Sequence, residues 1–138
     1  MLGPALEGEL LKSNVLIVDD HPPTRRQLHA FLEDQGMRVC GEAADGVDAL
    51  EKIRKLQPAI VLLDIYMPRM NGFITALQIK EASPNTKIVF FTNHEAPRLD
   101  GAVRAMGGDA FVEKSDGIAK LAAVLDELLS TDVANGLP

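Results

Sequence analysis

An α/β fold, a parallel sheet with helices wound over both faces, is predicted by three observations on this sequence. Two short runs, VLIV at 15–18 and IVLL at 60–63, are wholly apolar, which fits strands buried on both faces rather than one. Each of them runs directly into aspartate. Five apolar segments alternate with five helical patterns, and such alternation calls for right-handed crossovers that cover one side of the sheet and then the other.

The elements follow in order. An extension over 1–13 precedes the first strand, Val15 to Val18, which ends in Asp19-Asp20. Pro22 and Pro23 suit a helix's first turn, Leu28, Phe31 and Leu32 recur at helical spacing, and Gly36 offers a stop. Val39 to Ala43 make a weaker strand. Asp45 is placed to cap a helix carrying Val47, Leu50, Ile53 and Leu56, and Pro58 separates it from the strand Ile60 to Leu63. Asp64 stands at that strand's carboxyl end, where open parallel sheets gather ligands. Met67-Pro68 and Asn71-Gly72 shape the following loop. The helix after Gly72 carries two apolar stripes, Phe73, Ala76 and Ile79 against Ile74 and Leu77, so one stripe is expected to stay exposed. Ile88 to Phe91 form the fourth strand, ending at Thr92. Pro97 opens a helix bearing Leu99, Val103 and Met106, weakened at Gly101 and closed by Gly107-Gly108. Ala110 to Val112 make a fifth strand ending near Lys114. Ser115 or Asp116 is expected to cap the last helix, with Ile118, Leu121, Val124, Leu125 and Leu128, and 130–138 read as a frayed tail or the start of a linker.

Composition narrows the function classes. A chain of 138 residues with 46% hydrophobic and 25% charged content is one ordinary globular domain by prior, with a real core. No apolar run approaches the roughly 18 residues of a membrane span, and the first residues lack the basic and apolar regions of a secretory signal, so a cytoplasmic setting is expected. The net charge of −6 opposes nonspecific attraction to phosphate backbones, so no direct nucleic-acid binding is expected. The single cysteine, Cys40, excludes an internal disulfide and a thiolate cluster. His21, His29 and His94 do not have the spacing of a metal site, and His94 alone falls near the strand ends, two residues beyond Thr92. Arg25-Arg26 reads as a solvated helix face rather than a phosphate site.

Four strands thus end in polar residues: Asp20 with Asp19, Asp64, Thr92 and Lys114. With a switch point between the first and third strands, Asp19, Asp20 and Asp64 converge in one crevice. Two carboxylates about 4 Å apart repel by roughly 4 kcal/mol at an effective dielectric near 20. A cluster of three therefore calls for a divalent cation or a raised pKa, and oxygen ligands without Cys or paired His suit Mg²⁺. A hydroxyl and an ammonium opposite the acids complete the needs of a phosphoryl group.

In this order VLIVDD, DIYMPRMNG, VFFT and FVEK resemble the receiver domain of two-component response regulators, over about residues 14–129. The resemblance implies a flavodoxin-like fold with strand order 2-1-3-4-5. It implies Asp64 as phosphoacceptor, Asp20 as a direct Mg²⁺ ligand, Asp19 as a ligand through water, and the Tyr66 backbone carbonyl as a further ligand. Thr92 and Lys114 would hold phosphoryl oxygens, and Phe111 would change rotamer when Thr92 is drawn inward. Tyr66 and His94 would flank the line of hydrolytic attack and tune dephosphorylation. A histidine kinase or phosphotransfer protein is the implied donor, with an unknown output domain or target as receiver of the signal and room for a homodimer on phosphorylation.

One departure is that Ser115 follows Lys114, where many receivers carry a cis proline; the KS form resembles a subfamily often joined to helix-turn-helix domains. Two rivals remain. A dehalogenase-type phosphatase needs a second acid two residues after its nucleophile, and Tyr66 occupies that place. A phosphorylation-independent interaction module normally loses one of the acids, Thr or Lys, and all are present. The expected protein is a switch and not an enzyme, beyond its own phosphorylation and dephosphorylation.

Overall fold

The computed structural model describes residues 14–67, 69–93 and 104–136. In chain order its elements are β1 (Asn14–Val18), α1 (Pro22–Asp34), β2 (Arg38–Ala43), α2 (Gly46–Leu56), β3 (Ile60–Leu63), α3 (Gly72–Ala82), β4 (Lys87–Thr92), β5 (Ala110–Glu113) and α4 (Ile118–Gly136). The strands form one parallel sheet in the order β2-β1-β3-β4-β5, the flavodoxin-like order expected. The helix expected from Pro97 lies outside the described residues except at its end, where Arg104 and Ala105 are helical. No helix among the described residues is long and apolar enough to cross a membrane.

The wholly apolar strands are explained by what their two faces meet. Leu16, Val18, Val61, Leu63, Ile88 and Phe90 point toward α2 and α3, joining Leu50, Ile53, Ala76 and Ile79. The intervening Val15, Ile17, Ile60, Leu62, Val89 and Phe91 point the other way, joining Leu28 and Leu32 of α1 and Leu121 and Leu125 of α4. A side-chain period of two thus fills two cores, and each fully buried Leu, Ile or Val contributes about 1.5–3 kcal/mol.

β2 departs from this regularity. Val15 pairs with Val39, but Leu16 pairs with Gly41, so Cys40 is an extra residue in the strand and a bulge. Cys40 packs toward the α2 side, with its thiol 3.4 Å from the Val15 carbonyl, and Gly41 lies on that side too, where a side chain would meet Leu16 and Leu56. Burial pushes the Cys40 thiol's pKa up, in keeping with a packed and unreactive sulfur.

Local signals set most helix ends. Pro22 and Pro23 open α1, and Gly36, at φ +83°, follows its end. The Asp45 carboxylate accepts the Asp48 N–H at 2.9 Å and caps α2, and Asn71 accepts the Ile74 N–H at 3.0 Å and caps α3. α3 buries Ala76 and Ile79 and leaves Ile74 and Leu77 47% and 46% exposed, so one stripe does remain outside.

Two expectations are corrected at the C-terminal end. Ser115 and Asp116 do not cap α4: Lys114–Asp116 form a single 3₁₀ turn, Gly117 reverses the chain at φ +91°, and its carbonyl accepts the Leu121 N–H. A glycine adopts that backbone without strain, which moves the helix start beyond the polar pair. Nor is the chain from Ser130 irregular, since α4 continues to Gly136. No proline or glycine interrupts 130–135, so nothing there breaks the ladder of helical hydrogen bonds.

Candidate functional site

The carboxyl ends of β1, β3, β4 and β5 open into one cleft of about 730 Å³, lined by Asp19, Asp20, Asp64, Tyr66, Thr92 and Lys114 among others. The sheet holds the acids in place: the Asp19 N–H donates to the Ala43 carbonyl and the Asp64 N–H to the Val18 carbonyl, both at 3.0 Å, extending the parallel ladders by one rung. Behind Asp64 the chain turns back so closely that a Cβ on Gly72 would lie 2.3 Å from the Asp64 carbonyl oxygen and 2.6 Å from the Ile65 Cα. Only glycine fits there. The loop between them is tied to α2 by an ion pair of Arg69, itself at φ +67°, with Asp45. The Asp48 backbone N–H, and then Arg69, hold the Asp45 carboxyl below its usual range.

Carboxylate oxygens of Asp19, Asp20 and Asp64 lie within 4.8 Å of one another. Asp19 and Asp64 are buried and Asp20 is exposed. Asp19 accepts the His21 N–H at 2.9 Å and the Lys114 ammonium at 2.6 Å, while the same ammonium stays 3.6 Å from Asp64. Asp64 accepts the Tyr66 N–H at 3.3 Å. Burial raises the Asp64 pKa, Lys114 opposes that rise, and the Asp19 charge reinforces it. The cluster is therefore short of positive charge even with its lysine in place. Its donors are all hard oxygens, which fits a small divalent cation better than a thiophilic or imidazole-seeking one.

Thr92 ends β4 fully buried, and among the described residues its hydroxyl has no hydrogen-bond partner. Phe111 is partly buried against the core on the α2–α3 side and pairs in register with Phe90. The Tyr66 side chain is 50% exposed at the rim. His94 lies outside the described residues. Asp19, Asp20, Asp64, Thr92 and Lys114, picked out from strand ends, are thus brought to one place.

Sequence reasoning missed Arg25. It is not on a solvated face: its side chain is 18% exposed, it donates to the Asp19 backbone carbonyl at 2.6 Å, and its Nε lies 3.2 Å from Glu42. Nothing in helical spacing signals a bond from α1 back to the end of β1.

The model of the response regulator receiver domain matches residues 15–126. The chain is 41% identical, over 97 residues, to a protein-glutamate methylesterase/protein-glutamine glutaminase of Geobacter metallireducens, covering 70% of this chain and 28% of that one. Among solved structures, the signal receiver domain of the putative response regulator NarL from Mycobacterium tuberculosis superposes with a TM-score of 0.75 at 32% identity, covering 83% of this chain and 94% of that one. A LuxR-family two-component response regulator from Aurantimonas superposes with a TM-score of 0.81 at 28% identity, covering 86% and 85%. The chain spans 28%, 53% and 26% of the length of three curated relatives it matches.

Proposed function

The chain belongs to the response regulator receiver domain family of two-component signalling, and from that premise we propose that Asp64 accepts a phosphoryl group and that the resulting charge switches partner binding. The observation that carries this reading is the convergence of a buried, rigidly held carboxylate, a lysine within 3.6 Å of it and a buried unpaired hydroxyl at the ends of three strands.

The donor is phosphohistidine on a kinase or phosphotransfer protein. Ionised Asp64 attacks phosphorus in line; a P–O bond forms as the P–N bond breaks, and the imidazole leaves with the bonding pair. Asp20 and Asp64, with the Tyr66 carbonyl and Asp19 through water, would hold Mg²⁺, which when bound supplies positive charge beside the phosphoryl oxygens. Lys114 moves its ammonium from Asp19 to a phosphoryl oxygen. The Thr92 hydroxyl donates to another, and Phe111 fills the space that Thr92 vacates, biasing the surface around β5 and α4 toward a partner.

Tyr66, at the rim, shields the acyl phosphate from water, so Tyr66→Asn should hasten its loss. The chain performs no turnover on exogenous substrates. Ser115 after Lys114 supports a helix-turn-helix output domain in the whole protein, whereas the methylesterase relatives support an enzymatic one.

The test is incubation with acetyl phosphate and Mg²⁺. Stable label on the wild type that is lost in Asp64→Asn supports the reading. Turnover of exogenous phosphate esters would indicate a phosphatase, and no label under any condition would indicate an interaction module.

A further inference from the structure

Asp19 uses its two ends differently: its carboxylate faces Lys114, and its backbone carbonyl accepts the Arg25 guanidinium at 2.6 Å. That carbonyl belongs to the Asp19–Asp20 peptide, a plane that joins the Cα atoms of the two acids, so a bond that holds the plane restrains the backbone of both. Arg25 is in turn oriented by Glu42 of β2, whose Oε1 lies 3.2 Å from Nε. Glu42 does not float. Its other oxygen lies 2.8 Å from His29 Nδ1, and His29 Nε2 lies 3.4 Å from Glu33. The hydrogen bond between the His29 ring and the Glu42 carboxylate is the main cause that raises the His29 pKa, which favours the charged imidazole beside its carboxylate neighbours.

We propose that Arg25, braced by Glu42 and His29, is a positioning residue for the Asp19–Asp20 pair and thereby sets the site's affinity for a divalent cation. This rests on the reading of Asp19 and Asp20 as cation ligands. Arg25 itself touches neither carboxylate and carries a charge that repels a cation. The two effects have opposite signs. If Arg25 acted by charge alone, its removal would tighten cation binding; if it positions the pair, removal weakens binding, as loss of an outer partner of a metal ligand does.

The experiment is calorimetric titration of the full chain with MgCl₂, with thermal melting of each protein in parallel. Arg25→Met, which keeps the apolar stem, should weaken Mg²⁺ binding about tenfold, the low end of the range for such outer partners. Arg25→Lys keeps the charge, but one ammonium cannot serve both Glu42 and the Asp19 carbonyl in the fork geometry of a guanidinium. It should weaken binding about threefold, and it decides the matter if Arg25→Met fails to melt cooperatively. Wild-type or tighter affinity in a folded Arg25→Met, or wild-type affinity in Arg25→Lys when the first variant is unfolded, overturns the positioning role. No Mg²⁺ binding by the wild type would instead overturn the reading of the acids, and this inference with it.

Discussion

Lys114 sits closer to Asp19 than to Asp64: its ammonium lies 2.6 Å from the first carboxylate and 3.6 Å from the second. The lysine thus balances Asp19 first and Asp64, the acid proposed to take the phosphoryl group, second. Lys114→Met should lower metal-free stability by about 1–3 kcal/mol, the cost of leaving a buried charged group without its partner. Mg²⁺ should recover part of that loss. Urea unfolding in EDTA and in MgCl₂ measures both, and equal stability of variant and wild type in EDTA would show that the ammonium balances nothing.

Asp64 gives the fold a distinct pH response. Its folded-state pKa is raised, chiefly by burial, so the protonated form is the one favoured by folding. That stabilisation is fully present below the ordinary carboxylate value of about 3.9 and is lost as pH rises through the higher folded value. Asp64→Asn removes the loss. In EDTA the variant should therefore be more stable than the wild type at neutral pH, with the gap closing on acidification. A gap that widens toward low pH would have the wrong sign.

Gly72 is held by distance and not by dihedral freedom. Gly72→Ala would put a methyl 2.3 Å from the Asp64 carbonyl oxygen, forcing the loop away from the strand end. A loss of about 1–3 kcal/mol is expected for such overpacking. Labelling at Asp64 should slow at least several-fold even where the variant is fully folded, and an unchanged rate would show that the loop's close return does not position the carboxylate.

The two stripes of α3 should separate cleanly in a mutational scan. Ile74→Gln and Leu77→Gln should each change stability by no more than about 0.5 kcal/mol. Ile79→Ala, at a buried position, should cost about 2–5 kcal/mol. Comparable losses at all three would mean that the outer stripe is covered in solution.

The doubly covered sheet and its core were legible because one physical rule wrote both: a strand covered by helices on two faces must be apolar at every position, as Val15 to Val18 and Ile60 to Leu63 are, whereas the strand order came from the resemblance. The acids, Thr92 and Lys114 were legible for a related reason, since the carboxyl end of such a strand is where a polar residue first reaches water. Arg25 was not, because its bond runs to a backbone carbonyl, which no side-chain pattern records. The start of α4 was misread for a third reason. Ser115 and Asp116 are good caps, but a positive-φ glycine one residue later was free to turn the chain after them.

The extra residue in β2 reaches further than its own neighbourhood. Val39 points to the α1 side; Cys40 and Gly41 both lie toward α2; Glu42 then points to α1 and Ala43 to the α2 core. Strand parity is broken once and every later residue inherits the change. Deleting one residue from 39–41 would exchange the last two, sending a carboxylate into the apolar layer beneath α2 and a methyl toward Arg25 and His29. What keeps Glu42 beside its arginine is thus a matter of counting: an odd step in the length of β2, which a substitution leaves alone and a three-nucleotide deletion would undo.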